Sequence, residues 1–340
     1  MKTYHKILLI IITLAFSPVV YGQPAKTAKE LTEEGVTLFD SGKYDEAIVK
    51  YKEAIKTDPK YYNAYYEMGY TLFSDKNPLD AIPYLETALK LNPKAGGVYD
   101  LLGSIYDDNK QTAKAIEYYL KGISLDPDYQ RLYYNLGLTY FRQKEYALAE
   151  EKVIKAIKLD PKHASSHDMY AKIMFEQDKK GKALLGWSSF LLLEPNSKRS
   201  INAINKLNKI INYGITRTGD KVTISLSNNG KQGADFIIPA TVIASTAGQK
   251  GLSSADSLTL QLTKLYSVAD MFNDKPADPF FKAYFVDYFK TLALTDNMPA
   301  FTRYITLADD NENKVAWFKA HDSTIPKLEG WMNKTDRKFE

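Results

Sequence analysis

Cysteine is absent from all 340 residues. That one absence excludes disulfides, thiolate nucleophiles, sulfur-ligated zinc, iron–sulfur clusters and the lipid-modified cysteine of a bacterial lipoprotein. Histidine is scarce, with four copies, so imidazole-rich metal centres have little to draw on. Charge of one sign is also lacking. The formal net charge is +4, and loss of residues 1–22, which contain Lys2 and Lys6 and no acid, leaves +2. A nucleic-acid binder would carry a strongly basic face, so no nucleic-acid partner is expected. Beyond the first residues no apolar run approaches the roughly 20 residues that span a bilayer.

The first residues, MKTYHKILLIIITLAFSPVVYGQ, combine Lys2 and Lys6, an apolar run from Ile7 to Phe16, and the small-x-small triplet Val20-Tyr21-Gly22. This is the layout of a cleaved signal peptide, residues 1–22. The expectation is an exported bacterial protein, periplasmic or secreted, with no integral membrane segment after cleavage.

What the chain has in plenty is repetition. Pro59, Pro93, Pro127, Pro161 and Pro195 are spaced by a constant 34 residues. In a 34-residue frame opening at Ala28, Tyr62, Gly96, Gln130 and Ala164, the eighth position reads Gly35, Gly69, Gly103, Gly137 and Ala171. The twentieth reads Ala47, Ala81, Ala115, Ala149 and Ala183. The fourth reads Leu31, Tyr65, Tyr99, Tyr133 and His167, and the twenty-fourth Tyr51, Leu85, Tyr119, Val153 and Trp187. Apolar residues recur at three- and four-residue spacing, the period of amphipathic helices. Small residues at positions 8 and 20 let two antiparallel helices approach, and bulky ones at 4, 11 and 24 fill the grooves beside them. Proline after the second helix ends it without loss of a needed N–H. Many of the 25 tyrosines are explained as packing residues of these columns.

The pattern resembles the tetratricopeptide repeat family over residues 28–195. The fold expected is mostly α: a right-handed helical solenoid of five repeats, 28–61, 62–95, 96–129, 130–163 and 164–197. An amphipathic helix at 200–213 would cap it, closing the solenoid domain at 214. The fifth unit departs most, with Ala171 for glycine, His167 for the aromatic and Phe190 for a small residue, as if it met something new. Residues 215–340 are expected to form a smaller α+β or helical module, a hairpin followed by helices. KVTISLS, 221–227, alternates like a half-buried strand, NNGKQG, 228–233, reads as a turn, and DFIIPATVIA, 235–244, as the return strand. Helices follow at 254–272, 279–294 and 298–308, with short pieces to 334. Phe281, Tyr284, Phe285, Tyr288, Phe289 and Leu292 share one helical face and are expected in a core.

The resemblance implies a concave face lined by first-helix positions 2, 5, 9, 12 and 13. Those carried over as partner-binding are Asn63, Tyr66, Tyr70 and Phe73 in the second unit, Asp100 and Asp107 in the third, and Arg131, Tyr134, Leu138, Phe141 and Arg142 in the fourth. Asp168, Lys172, Phe175 and Glu176 hold the same positions in the fifth. Apolar anchors in a polar rim are how protein-binding grooves look, with packing inside a tight superhelix as the competing account. The Lys/Asn cage with which some family members grip a terminal carboxylate is absent, and Asp100 would repel such a group.

Chemistry is harder to find. His163 and His167 are four apart but lack a third ligand. Asp309-x-Asn311-x-Asn313 opens like a calcium loop without its glycine and glutamate. No phosphate loop, GxSxG or dinucleotide motif occurs. No catalytic residue, metal or cofactor is therefore assigned. The function expected is a non-catalytic scaffold for a protein or peptide. Self-association stays open, and so does the alternative of an envelope enzyme whose repeats recruit substrate to a catalytic 215–340.

Overall fold

The computed structural model describes residues 26–75, 77–218, 221–224, 234–247, 249–273, 276–337 and 339. The expected leader, 1–22, and the turn expected at 228–233 lie outside them. The chain divides into two compact units, Met1–Leu91 and Asn92–Glu340.

The first unit holds two antiparallel helix pairs: α1 (Ala28–Asp40) with α2 (Tyr44–Thr57), and α3 (Tyr62–Ser74) with α4 (Pro78–Leu91). Thr27 starts α1 with a capping box. Its hydroxyl accepts the Glu30 N–H at 3.2 Å, and the Glu30 carboxylate accepts the Thr27 N–H at 2.8 Å. Close approach of the helices explains the glycine column. A Cβ on Gly35 would lie 2.4 Å from the Tyr51 ring, so a larger residue would force the pair apart.

The second unit opens with three more pairs: α5 (Gly96–Asp108) with α6 (Thr112–Leu125), α7 (Gln130–Arg142) with α8 (Tyr146–Leu159), and α9 (Ala164–Glu176) with α10 (Lys180–Leu193). The connections between repeats follow one scheme. Before three of the prolines the acid or amide accepts a backbone N–H two residues on: Asp58 from Lys60 at 2.9 Å, Asn92 from Lys94 at 3.3 Å and Asp160 from Lys162 at 3.0 Å. The position-4 side chain then donates back to the proline carbonyl. Tyr65 reaches Pro59 at 3.1 Å, Tyr99 reaches Pro93 at 3.2 Å, Tyr133 reaches Pro127 at 3.0 Å, and His167 Nε2 reaches Pro161 at 3.0 Å. The tyrosine column thus closes the turn as well as filling space, and His167 keeps that bond. Because a carbonyl only accepts, the bond fixes the hydrogen on Nε2.

In four of the repeats the internal turn uses a left-handed residue. Gly42 supplies it at φ 75° in the first, while Lys110, Lys144 and Asp178 adopt φ of 62°, 64° and 61° in the last three.

After α10 come α11 (Lys198–Ile211), strands β1 (Ile215–Thr218) and β2 (Lys221–Ile224), α12 (Ala234–Thr246), α13 (Ser254–Ser267) and a 3₁₀ turn (Ala269–Phe272). A π-helical turn (Phe281–Val286) leads into α14 (Asp287–Ala293), followed by α15 (Met298–Ile305), α16 (Asn311–Ala320) and α17 (Thr324–Lys334). The helices expected from 254 onward are present. The hairpin differs: β2 pairs antiparallel with β1, Ile215 opposite Ile224, and residues 234–246 form a helix in place of the return strand. A short apolar run suits a buried strand or a buried helix alike. Here Ile238 and Val242, one turn apart, are both buried, and Pro239 removes a single intrahelical bond.

The core of this unit is continuous from the fourth repeat into the C-terminal helices. The predicted aromatic face is inside it: Phe281, Tyr284, Phe285, Tyr288, Phe289 and Leu292 are all buried. Phe285 stacks on Tyr170 at 4.9 Å and meets His167 edge-on at 6.2 Å. α10 is buried on every side from Lys180 to Leu192.

Candidate interaction groove

In the first unit the carried-over Tyr66 and Tyr70 form an aromatic ladder with Tyr62, which was not among them. Tyr62, Tyr66 and Tyr70 stand one turn apart on α3, with ring centroids 6.1 and 6.4 Å apart and planes inclined by 18°. Phe39 joins Tyr70 at 5.3 Å. Phe73 is half-buried and Asn63 exposed.

In the second unit the predicted charges are not free rim groups. Asp100 is 1% exposed and Asp107 8%. Each ties α5 to α7: Asp100 accepts from Arg131 Nε at 3.1 Å and Asn135 at 2.6 Å, and Asp107 from Arg142 at 2.6 Å and Thr139 at 3.0 Å. Burial pushes the Asp100 carboxyl up, with the Arg131 charge and the Asn135 hydrogen bond pulling it back. The guanidinium groups reach the other way, both arginine side chains staying 52% exposed. The acids, expected as surface determinants, are structural, because a short aspartate on α5 sits within reach of α7 donors while arginine is long enough to span from core to solvent.

Tyr134, Leu138 and Phe141 are half-buried against the core cluster. Tyr134 meets His163 edge-on at 5.0 Å, and Phe141 leans on Tyr146 at 5.8 Å. Phe141 also borders a cleft of about 470 Å³ whose walls are α9 and α11. Phe175 and Trp187 form its apolar part, 5.5 Å apart. Trp187 Nε1 donates to Asp168 at 3.2 Å, and Lys172 donates to the other oxygen at 2.7 Å, so this acid too is held inward. α11 supplies Arg199, Asn202, Asn205 and Lys206. Lys206 lies 5.0 Å and Lys209 5.8 Å over the Phe175 ring. Arg199 is fixed by a two-point pair with Glu194, at 3.1 and 2.8 Å.

Trp187 and the α11 residues were not among the sequence-derived binding positions. Trp187 falls in a packing column, and α11 lies past the last repeat. A signal was available: α11 carries Lys198, Arg199, Lys206 and Lys209 and no acid.

A larger, polar cleft of about 660 Å³ lies between α11, α13 and the connection from α15 to α16, with Asn208, Asn212, Gln261, Asp309, Asp310 and Lys314 in its lining. The Lys314 ammonium donates to the carbonyls of Thr306, at 2.6 Å, and Asp309. Among the described residues no group of three or more histidines and carboxylates is placed to hold a metal, and no helix is long and apolar enough to cross a membrane.

Comparison with known proteins bears on the repeats. Residues 35–75 and 103–144 match a family model described as TPR repeat, and residues 62–94 and 130–163 match models described as tetratricopeptide repeat. No curated protein matches the chain. Among solved structures it is similar to PilF of Pseudomonas aeruginosa (19% identity, 54% of this chain and 87% of that one, TM-score 0.46). It is also similar to MamA of Desulfovibrio magneticus (23%, 50% and 97%, 0.44) and to a thermophilic TPR protein of Thermus thermophilus (21%, 54% and 100%, 0.45).

Proposed function

With the repeats within residues 35–163 identified as tetratricopeptide repeats, we propose that the protein is an exported, non-catalytic scaffold that holds an extended peptide or protein segment on its first-helix faces. The observation that carries this reading is the polarity of the inner surface in the second unit. Asp100, Asp107 and Asp168 are each held inward by a donor pair, while Arg131, Arg142, Lys172 and Lys206 face outward around half-buried Tyr134, Leu138, Phe141 and Phe175. Apolar anchors ringed by cations favour a segment with aromatic or aliphatic side chains and acidic neighbours. Asn202 and Asn205, exposed on α11, suit the backbone amides of such a segment. In the first unit Tyr66, Tyr70 and Phe73, with Asn63, are the proposed anchors.

The test is capture from the native envelope by wild type and by Tyr70→Ala with Phe141→Ala. The double variant is expected to lose the partner while keeping its helicity and melting temperature. Retained capture by a folded double variant overturns the groove assignment. Export is checked by the mass of the mature protein, expected to begin after Gly22.

The alternative, a catalytic C-terminal module, rests on the polar 660 Å³ cleft, where Asp309 and Asp310 stand beside a lysine whose pKa burial pushes down. It is the weaker reading because that lysine is committed to two carbonyls.

A further inference from the structure

α10 contains two adjacent serines, Ser188 and Ser189, both fully buried in an otherwise apolar stretch. A buried hydroxyl is tolerated where its hydrogen bonds are made. Each donates to its own helix, Ser188 to the Leu184 carbonyl at 2.9 Å and Ser189 to the Leu185 carbonyl at 3.0 Å. Each is thereby left with lone pairs turned off the helix. Ser188 receives the Tyr266 hydroxyl at 2.8 Å. Ser189 receives Nη1 of Arg337, also at 2.8 Å.

The Arg337 guanidinium sits in an aromatic box. It lies 4.1 Å from the Tyr288 ring centroid, 5.0 Å from Tyr284 and 5.4 Å from Phe289, and Trp331 leans on Tyr288 at 5.0 Å. Two residues on, Phe339 stacks on the Tyr284 ring at 5.3 Å. Arg337 and Phe339 thus share the Tyr284 ring. Among the described residues the last backbone hydrogen bond of this segment is Thr335 N–H to the Met332 carbonyl, at 3.4 Å. Beyond it Arg337 and Phe339 hold on by side chains.

The surroundings have room for more than they contain. A cleft of about 490 Å³ runs along the segment, lined by Pro161, His167, Leu193, Tyr284, Arg337 and Phe339. His167 is fully buried, and its Nδ1 has no hydrogen-bond partner. With Nε2–H committed to Pro161, Nδ1 is an acceptor without a donor.

We propose that the surface formed by α10, the π-helical turn and α14 is a peptide-docking site that reads an arginine followed two residues later by an aromatic side chain. Residues 337 and 339 are its resident occupant, and a partner segment carrying the same pair displaces them. Guanidinium is the fitting cation because it stacks on rings and donates to Ser189 in one geometry. The site is separate from the groove on α7, α9 and α11.

The test uses the full chain with Arg337→Ala and Phe339→Ala, and a labelled peptide of residues 332–340. Anisotropy is expected to show saturable binding to the double variant. Binding to wild type should be at least on the order of tenfold weaker, because the tethered segment competes at high effective concentration. The peptide with its arginine changed to alanine should bind the variant at least about tenfold more weakly than the native peptide. No binding to the folded variant, or equal binding of the two peptides, overturns the proposal. If the variant fails to fold, wild type decides: a saturable change in tryptophan emission, to which Trp331 contributes beside Trp187 and Trp317, with the native peptide and not with the alanine peptide supports displacement. No change with either, or the same change with both, overturns it.

Discussion

The fourth and fifth repeats are built from the same columns, yet their second helices live in different surroundings. In α8 the buried residues are Ala149, Val153, Ala156 and Ile157, one stripe facing its own repeat and the next. In α10 burial is continuous over Lys180 to Leu192, because α11, α12, α15 and the π-helical turn pack on the side that α8 leaves to solvent. The sequence of α10, KGKALLGWSSFLLL, is apolar nearly all round, which only a helix covered on every side tolerates. Its polar atoms are each met: Lys182 by Asp278 at 2.9 Å, Ser188 by Tyr266, Ser189 by Arg337. Even its backbone is approached closely, since a Cβ on Gly181 would lie 2.3 Å from Phe272. One repeat template therefore serves as surface or as core, according to what covers its outer face.

The sharpest way to break the comparison is to remove what covers α10. Phe285→Ala is expected to cost about 3–5 kcal/mol, the range for deleting a fully buried phenylalanine. Leu120→Ala, on the exposed side of α6, should stay within about 0.5 kcal/mol. Denaturant unfolding measures both. Hydrogen exchange should place the Phe285→Ala loss in α10 and the C-terminal helices before the third and fourth repeats. Uniform loss would mean that the outer face of α10 is not a distinct layer.

Acid separates the repeats next. At position 4 the third and fourth repeats have tyrosine and the fifth has His167. Burial, with the Arg337 charge adding to it, pushes this imidazole down to about 3. Unfolded, it titrates near ~6.5. Between those values the unfolded chain holds a proton that the folded one does not, so stability is complete above ~6.5 and declines as pH falls toward 3. Between pH 7 and pH 5 the loss from this group is about 2 kcal/mol. His167→Gln, neutral throughout and able to donate to the Pro161 carbonyl, should remove that component. Unchanged pH dependence would assign the acid sensitivity elsewhere, His163 first, whose pKa burial also lowers.

These two experiments mark what the sequence could and could not disclose. The repeat columns, the helix pairs and the C-terminal helices were legible because each rests on local periodicity and on steric need within a turn or two. The strand read at 235–244 failed where periodicity is blind, in a short apolar run whose partner is distant. For the candidate groove, the inner-face frame named Arg131, Tyr134, Leu138 and Phe141, which the fold leaves exposed or half-buried, but not the inward turn of Asp100 and Asp107. That turn depends on donors 31 to 35 residues away, Arg131, Asn135, Thr139 and Arg142. Trp187 was missed because it falls in a packing column, and Lys206 because α11, past the last repeat, meets α9 only in the folded unit.

Asp107→Ala tests the inward acids. It removes an acceptor shared by Thr139 and Arg142, but Thr139 keeps the Asn135 carbonyl at 3.0 Å and Arg142 keeps solvent. The cost should be about 1 kcal/mol, confined to the α5–α7 contact. A loss several times larger would mean that the pair organises the groove as well as joining two helices.

The smallest effect concerns what repeats share regardless of neighbours. Lys110 and Lys144 hold the left-handed turn position that Gly42 holds in the first repeat. For a residue with a Cβ that conformation costs about 1–2 kcal/mol, and glycine recovers it while giving back roughly 0.5–1 kcal/mol of chain entropy. Lys110→Gly and Lys144→Gly should each stabilise by about 0.5 kcal/mol, measured as a rise in denaturation midpoint at constant slope. Asp178→Gly should gain less, because it also removes one partner of Lys180. If the first two differ from each other, the lysine side chains contribute beyond their backbone. If they agree, turn chemistry belongs to the repeat itself, and only the outer face belongs to what packs upon it.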